Sequence, residues 1–396
     1  MLKIVGIIAE YDPFHAGHAW QIARARQAGA EAVVCVMSPS VVQRGAFALF
    51  PAQVRVRAAL AGGADLVLCL PAPYAVLSAE GFAAAGVRIL SSLGCVDTLC
   101  FGAETPDAAL LRQTARTLLD PAFRAPLARA LRGGTGFAAA RAAAAEAVQP
   151  GAGEVLAGPN NLLGVEYCKA ILAQNSPMDI LPLARKGAQH GADAPGDGFA
   201  SASALRALFR KEGAGALAPY VPAACLSLYQ EAQENGLYND EKNSSTAILA
   251  RVRGLSPQQL ARVRGVGEGL EHRLHRCVQT CVALPELYDA LKTKRYAHAR
   301  LRRLVLDAAL GYTDDLPALP PYVQALGASA AGREVLKQAK GAALLPVSAS
   351  LAKLRSASPE ARRVADAHSL AEDLAALCLA KPRPAKSAYT LPFVSL

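Results

Sequence analysis

Apolar residues in the first two hundred positions fall into two alternating patterns. Short, nearly uncharged runs, "LKIVGIIA" (2–9), "AEAVVCVMS" (30–38), "ADLVLCLP" (64–71) and "CVDTLCFGAE" (95–104), read as strands covered on both faces. Between them "HAWQIARARQAG" (18–29), "PAQVRVRAALAGG" (51–63) and "AEGFAAAGVRILSSLG" (79–94) mix apolar and polar residues as helices do. Repeated strand–helix units predict an α/β fold, a doubly wound parallel sheet with right-handed crossovers. An Ala-rich helical insertion is expected near residues 106–148. A helix at "NNLLGVEYCKAILAQ" (160–174), a fifth strand at "MDILPLAR" (178–185) and a capped helix at "ASASALRALFRKEG" (200–213) follow. After residue 213 the strand pattern fades and helices dominate to about residue 311, before a stretch of short helices and Pro-rich turns. The expected division is a catalytic α/β domain at 1–215 and a mainly helical, basic domain at 216–396.

Composition narrows the class. With 396 residues, 52% of them hydrophobic, the chain can bury the cores of two domains. No uncharged apolar run reaches the ~18 residues of a membrane span, and the first residues read as strand rather than signal peptide. The nine cysteines are odd in number and form no CxxC pair, so reduced thiols in a cytoplasmic protein are expected. Cys277 and Cys281 stand one helical turn apart with no second pair to complete a metal ligand set. The net charge of +10 is concentrated: residues 251–303 hold twelve Lys/Arg against four Asp/Glu. Such a basic segment suits a polyanion, nucleic acid first, although a solvated basic helix face has the same composition.

The chemistry gathers at "AEYDPFHAGH" (9–18), where the first strand ends and the first helix begins. Ligands of doubly wound sheets bind beyond the carboxyl ends of the strands, and a helix N-terminus offers N–H groups and positive potential to phosphate. Gly17 is expected to let a ligand approach the backbone closely. His15 and His18 can donate hydrogen bonds to phosphate and stabilise the charge that builds when an α-phosphate is attacked.

The pattern strand–DPFHAGH–helix resembles the HxGH nucleotidyltransferases, the superfamily of the phosphopantetheine and nicotinamide-nucleotide adenylyltransferases and the class I aminoacyl-tRNA synthetases. Their second signature, often ISSTxIR, has a counterpart in "SASALR" (201–206). There Ser201 and Ser203 can cap a helix and bind phosphate, and Arg206 can reach the β and γ phosphates. Further segments in the same order, "QRG" (43–45), "FGAE", "PNNLLGVEYCKAI", "ARKGAQH", "GVGEGLEHRL" and "LKTKRYAHARLRRLVL", resemble the bacterial tRNA(Met) cytidine acetate ligases from residue 1 to about 312. The resemblance implies that ATP and acetate give acetyl-adenylate and pyrophosphate. The acetyl group then passes to N4 of the wobble cytidine of elongator tRNA(Met).

It also implies roles. His15 and His18 are catalytic. Ile7, Ile8, Ala9, Glu10, Tyr11, Asp12, Pro13, Phe14, His15, Ala16, Gly17, His18, Ala19 and Trp20 line ATP. Gly102, in the turn after the fourth strand, matches a glycine beside the adenine or ribose. Asn160 or Asn161, with Asn160 favoured, hydrogen-bonds the nucleotide, and Arg185 touches phosphate or adenine. Mg²⁺ is expected with ATP, although no carboxylate cluster marks its ligands. Lys292, Lys294, Arg295, Arg300, Arg302 and Arg303, with Tyr296 for stacking, suit tRNA. "LSPQQLARVRGVGEGLEHRL" also resembles a helix-hairpin-helix.

Two departures stand out. Asp12 replaces the usual Asn, and "MSPSVVQRG" carries Pro39 in place of a glycine, in a loop where Arg44 can hold a carboxylate or a phosphate. A small-molecule adenylyltransferase and a catalytically lapsed RNA-binding protein are the competing readings. The basic helical region counts against the first, and the altered loop supports the second.

Overall fold

The five predicted strands all form in the computed structural model, which describes residues 3–133, 136–184, 198–267, 269–293 and 296–396. They are β1 (Ile4–Ala9) and β2 (Ala32–Met37), then, after a short antiparallel pair β3 (Val41–Val42) and β4 (Ala46–Phe47), β5 (Leu66–Cys69), β6 (Thr98–Ala103) and β7 (Asp179–Ala184). Three further strands come late in the chain: β8 (Val323–Ala328), β9 (Val347–Ser348) and β10 (Val394–Ser395). The main sheet runs β10-β8-β5-β2-β1-β6-β7, with β9 beside β8. Strands β1, β2, β5, β6 and β7 pair in parallel, while β8 lies antiparallel to β5.

Strand alternation splits the buried side chains between two cores. Ile4, Ile8, Val34, Val36, Leu66 and Leu68 face the helices Ala79–Ser92 and Pro159–Ala173. Val5, Ile7, Val33, Cys35 and Val67 face the other way, toward Ala16–Gln27, Ala52–Ala61, Ala202–Glu212 and Ala223–Glu234. Helices therefore cover both faces, as the uncharged strands require. The helical region after residue 216 shares the first of these cores through Ile248, Leu274, Leu301 and Val364.

Several strands were not legible. Two residues each are too few for periodicity to reveal β3 and β4. The β8 segment "VQALGA" lies in the stretch read as Pro-rich turns, and pairing with β5 is what makes it a strand. All nine cysteines are free thiols. Among the described residues no helix is long and apolar enough to cross a membrane.

Candidate active site

The HxGH turn sits at the carboxyl end of β1, the central parallel strand. His15 is the N-cap of the Ala16–Gln27 helix, and its Nδ1 accepts the Gly17 N–H at 3.1 Å. The His15 N–H in turn donates to His18 Nδ1 at 3.2 Å, a reciprocal capping box built from two imidazoles. Because each Nδ1 accepts from a backbone amide, each neutral ring carries its proton on Nε2. The rings stack with centroids 3.7 Å apart. Tyr11 meets His18 edge-on at 4.8 Å and Phe14 lies 5.5 Å from it, so His18 is held on three sides. Tyr11 reaches this place through a left-handed backbone (φ 49°) and a contact from its hydroxyl to Cys35 Sγ at 3.1 Å. From the facing helix, Tyr229 donates its hydroxyl to the Phe14 carbonyl at 2.9 Å.

Two glycines make room for neighbouring side chains. A Cβ on Gly17 would lie 2.9 Å from Cε1 of His15, so the space over Gly17 belongs to the histidine ring. Gly6 makes room for Leu90, whose methyl would lie 2.6 Å from a Cβ there.

Asp12 is the junction of three segments. Its side chain is 1% exposed. Oδ1 accepts the Leu49 N–H at 2.6 Å and Oδ2 accepts Arg44 Nη2 at 2.8 Å. Arg206 Nη1 donates to the Asp12 carbonyl at 2.6 Å and stands 3.5 Å from Oδ2. Burial opposes the charge on Asp12. Arg44, Arg206 and Arg55 outweigh that opposition and hold the carboxyl below its usual range. Arg206, buried and beside Arg44, is lowered to about 10. Glu10 accepts the Gln43 N–H at 2.5 Å, and burial raises its carboxyl despite Arg44.

Arg55 braces the "MSPSVVQRG" loop from behind. It is fully buried and donates to the carbonyls of Phe50, Ser38, Pro39 and Glu10. Sequence reasoning missed it. The one signal was a charge amid Val54, Val56, Ala58 and Ala59, all buried on the Ala52–Ala61 helix. The same loop touches the basic region. A Cβ on Gly45 (φ 79°) would lie 2.4 Å from the Arg303 amide nitrogen, and Arg303 Nη1 donates to the Gln43 carbonyl at 3.4 Å.

The remaining candidates ring this turn or lie apart from it. Gly102 lies within β6, paired with Leu183, rather than in the turn after it. Asn161 is buried and committed to Thr105, accepting its N–H at 2.9 Å and donating to its hydroxyl at 3.2 Å. Asn160 is less buried and donates its side-chain amide to Glu104 at 2.5 Å. Glu104, which also accepts the amides of Asn160 and Asn161, was not foreseen. Ser201 caps its helix by accepting the Ala204 N–H at 3.1 Å, and Ser203 is exposed. Arg185, Lys294 and Arg295 lie outside the described residues.

In the basic region Arg300 and Arg302 are exposed on the His298–Leu310 helix. Lys292 donates to the Tyr296 carbonyl at 2.7 Å, and Tyr296 is 7% exposed beneath the Arg300 guanidinium, 4.8 Å from its ring centre. Among the described residues no cluster of three His, Cys, Asp or Glu side chains could hold a metal ion.

The family model described as HIGH Nucleotidyl Transferase matches residues 2–388. A protein of Acetivibrio thermocellus named tRNA(Met) cytidine acetate ligase is 31% identical over 399 aligned positions, 96% of each chain. One of the same name from Caldanaerobacter subterraneus is 32% identical over 372, covering 91% of this chain and 92% of that one. Crystal structures of Thermotoga maritima TmcAL match with TM-scores of 0.91 when bound with alpha-thio ATP and 0.93 in the apo form, each at 25% identity over both full chains. Likeness of this extent, in sequence and in fold, shows that the chain belongs to the tRNA(Met) cytidine acetate ligase family of HIGH nucleotidyltransferases.

Proposed function

We propose that the chain is an ATP-dependent ligase that acetylates N4 of the wobble cytidine of elongator tRNA(Met). An acetate oxygen attacks the α-phosphorus of ATP and the bond to pyrophosphate breaks, giving acetyl-adenylate. The cytidine N4 then attacks the acetyl carbonyl, loses a proton and expels AMP. The first step is mostly positioning and charge stabilisation.

His15 and His18 serve it by donating from Nε2 to the phosphate oxygens. Residues 7–20 line the nucleotide, joined by Gly102, Asn160, Arg185, Ser201, Ser203 and Arg206. The observation that carries the reading is the paired-imidazole cap at the end of β1, where both Nδ1 atoms are tied to backbone amides. Mg²⁺ accompanying ATP would be held largely by phosphate and water, since both Asp12 oxygens are already engaged.

Residues 216–396 supply the tRNA face, through Lys292, Lys294, Arg295, Arg300, Arg302 and Arg303, while the expected stacking Tyr296 is buried and supports the Arg300 guanidinium instead. Contact of Gly45 and Gln43 with the His298–Leu310 helix supports this assignment, because the acyl-adenylate has to meet the tRNA base. A small-molecule adenylyltransferase would have no use for that contact.

The test is ATP–pyrophosphate exchange by purified protein with and without acetate, followed by acetyl transfer to tRNA. Acetate-dependent exchange is expected, and His18→Ala should lower it by about 100-fold or more. Wild-type protein that binds ATP yet shows no acetate-dependent exchange would overturn the acyl-adenylate step.

A further inference from the structure

Resting on the ligase reading above, we propose that Glu10 is the general base of the second step and takes the proton that the acceptor N4 loses as it is acetylated. The amine forms its new bond to the acetyl carbon with its lone pair. It then sheds an N–H proton while the bond from the acetyl carbon to AMP breaks. That proton needs an acceptor within hydrogen-bonding reach.

The groups around the HxGH turn offer few acceptors. In both His15 and His18, Nδ1 accepts a backbone N–H and Nε2 carries the proton, so neither neutral ring has a lone pair to give. Asp12 has one oxygen on the Leu49 N–H and the other on Arg44, and its carboxyl is held below the usual range. Glu104, which follows β6, commits one oxygen to Asn160 and the other to the Asn161 N–H. Glu10 differs. Its Oε1 accepts the Gln43 N–H at 2.5 Å, and Oε2 accepts no hydrogen bond among the described residues. The side chain is partly exposed, directly after β1 at the sheet edge where such folds receive ligands. Gln43 also gives its carbonyl to Arg303 Nη1 at 3.4 Å, so one residue joins the Glu10 carboxylate to the His298–Leu310 helix of the tRNA face. Burial and Asp12 raise the Glu10 carboxyl above its ordinary value, against Arg44 and Arg206. Arg55 and Tyr167 also face it from the Ala52–Ala61 and Pro159–Ala173 helices. A raised carboxyl is a stronger base, closer in basicity to the working pH.

Single-turnover transfer separates the two steps. Protein loaded with ATP and labelled acetate is mixed with saturating tRNA(Met), and labelled tRNA is followed against time at a series of pH values. ATP–pyrophosphate exchange is measured beside it. Wild-type transfer should slow as the pH falls to 4.5, the ordinary value of a glutamate carboxyl, because a protonated Glu10 accepts nothing. It should level off once Glu10 is ionised. Glu10→Gln keeps an oxygen for the Gln43 N–H but has no basic one. Its ratio of transfer to exchange should fall at least ~100-fold, and the residual transfer should show no plateau as pH rises. Because Glu10 also borders the nucleotide, the ratio is the readout rather than either rate alone.

Transfer and exchange lowered in proportion by Glu10→Gln, or neither lowered, would overturn the base and leave the ligase reading intact. Absent acetate-dependent exchange in the wild type would overturn the ligase reading, and the base with it. If Glu10→Gln does not fold, the wild type decides. A transfer rate unchanged down to pH 4.5 overturns the base, and transfer lost on acidification while exchange persists supports it.

Discussion

Replacing Gly45 by Ala tests whether the basic helix is seated on the catalytic loop. Gly45 has φ 79°, and an added Cβ would lie 2.4 Å from the Arg303 amide nitrogen and 2.6 Å from the Arg302 carbonyl carbon. Both are backbone atoms and cannot rotate away. Gly311 supplies the control, with φ 69° and nothing within 4 Å of an added Cβ. At Gly311→Ala only the left-handed backbone is penalised, by about 1 kcal/mol. Gly45→Ala adds an overpacking penalty of about 1–3 kcal/mol, giving about 2–4 kcal/mol in all. For 396 residues, an unfolding entropy near 2.1 cal/mol/K per residue amounts to about 0.8 kcal/mol/K. The expected losses in Tm are therefore about 1 °C for Gly311→Ala and about 3–5 °C for Gly45→Ala. Moving the turn also moves Arg44 from Asp12, now 2.8 Å away. Exchange should then fall at least ~10-fold in Gly45→Ala and persist in Gly311→Ala. Differential scanning calorimetry and the exchange assay read both quantities. Equal Tm losses with equal activities in the two variants would refute the seating of this helix on the turn.

Two further outcomes follow from local geometry. Gly17→Ala lies in a first helical turn, where Ala is favoured, so Tm should hold. Its Cβ at 2.9 Å from His15 Cε1 should displace that ring and lower exchange by about 10- to 100-fold, and wild-type exchange rates would refute this. Glu372 is pushed up to about 7 by burial, despite the Ser40 hydroxyl and Arg55. Between pH 4.5 and 7 the native state then keeps a proton that the unfolded chain releases, so its contribution to stability falls as pH rises through that window. Glu372→Gln should match the wild type near pH 4 and gain up to about 3 kcal/mol by pH 8, and unfolding curves with a pH-independent offset would exclude the assignment.

Much of this protein was determined by its sequence. Uncharged apolar runs with helices between them leave both strand faces in need of cover, and a parallel sheet with helical layers meets that need. "EYDPFHAGH" joins a strand to a helix, so its two histidines had to fall at the carboxyl edge of the sheet, whatever the rest of the chain did. The capping serine of "SASALR" was legible for the same local reason, since Ser201 bonds an amide only three residues away.

Tertiary structure alone decided which partners those residues meet. Nothing local brings Arg44 and Arg206 to Asp12, which are separated from it by 32 and 194 positions. Arg55 reads in sequence as one polar residue of an amphipathic helix, yet burial beside four backbone carbonyls turns it into the brace of the loop. Gly17 reads as a place of close backbone approach, and only the structure shows that the ring of His15 lies against it. The strand at Val323–Ala328 exists because β5 offers it an edge. Periodicity and motif spacing record what a residue needs from its near neighbours. They carry no information on which distant donor will fill a buried acceptor, and that choice is made when the layers close.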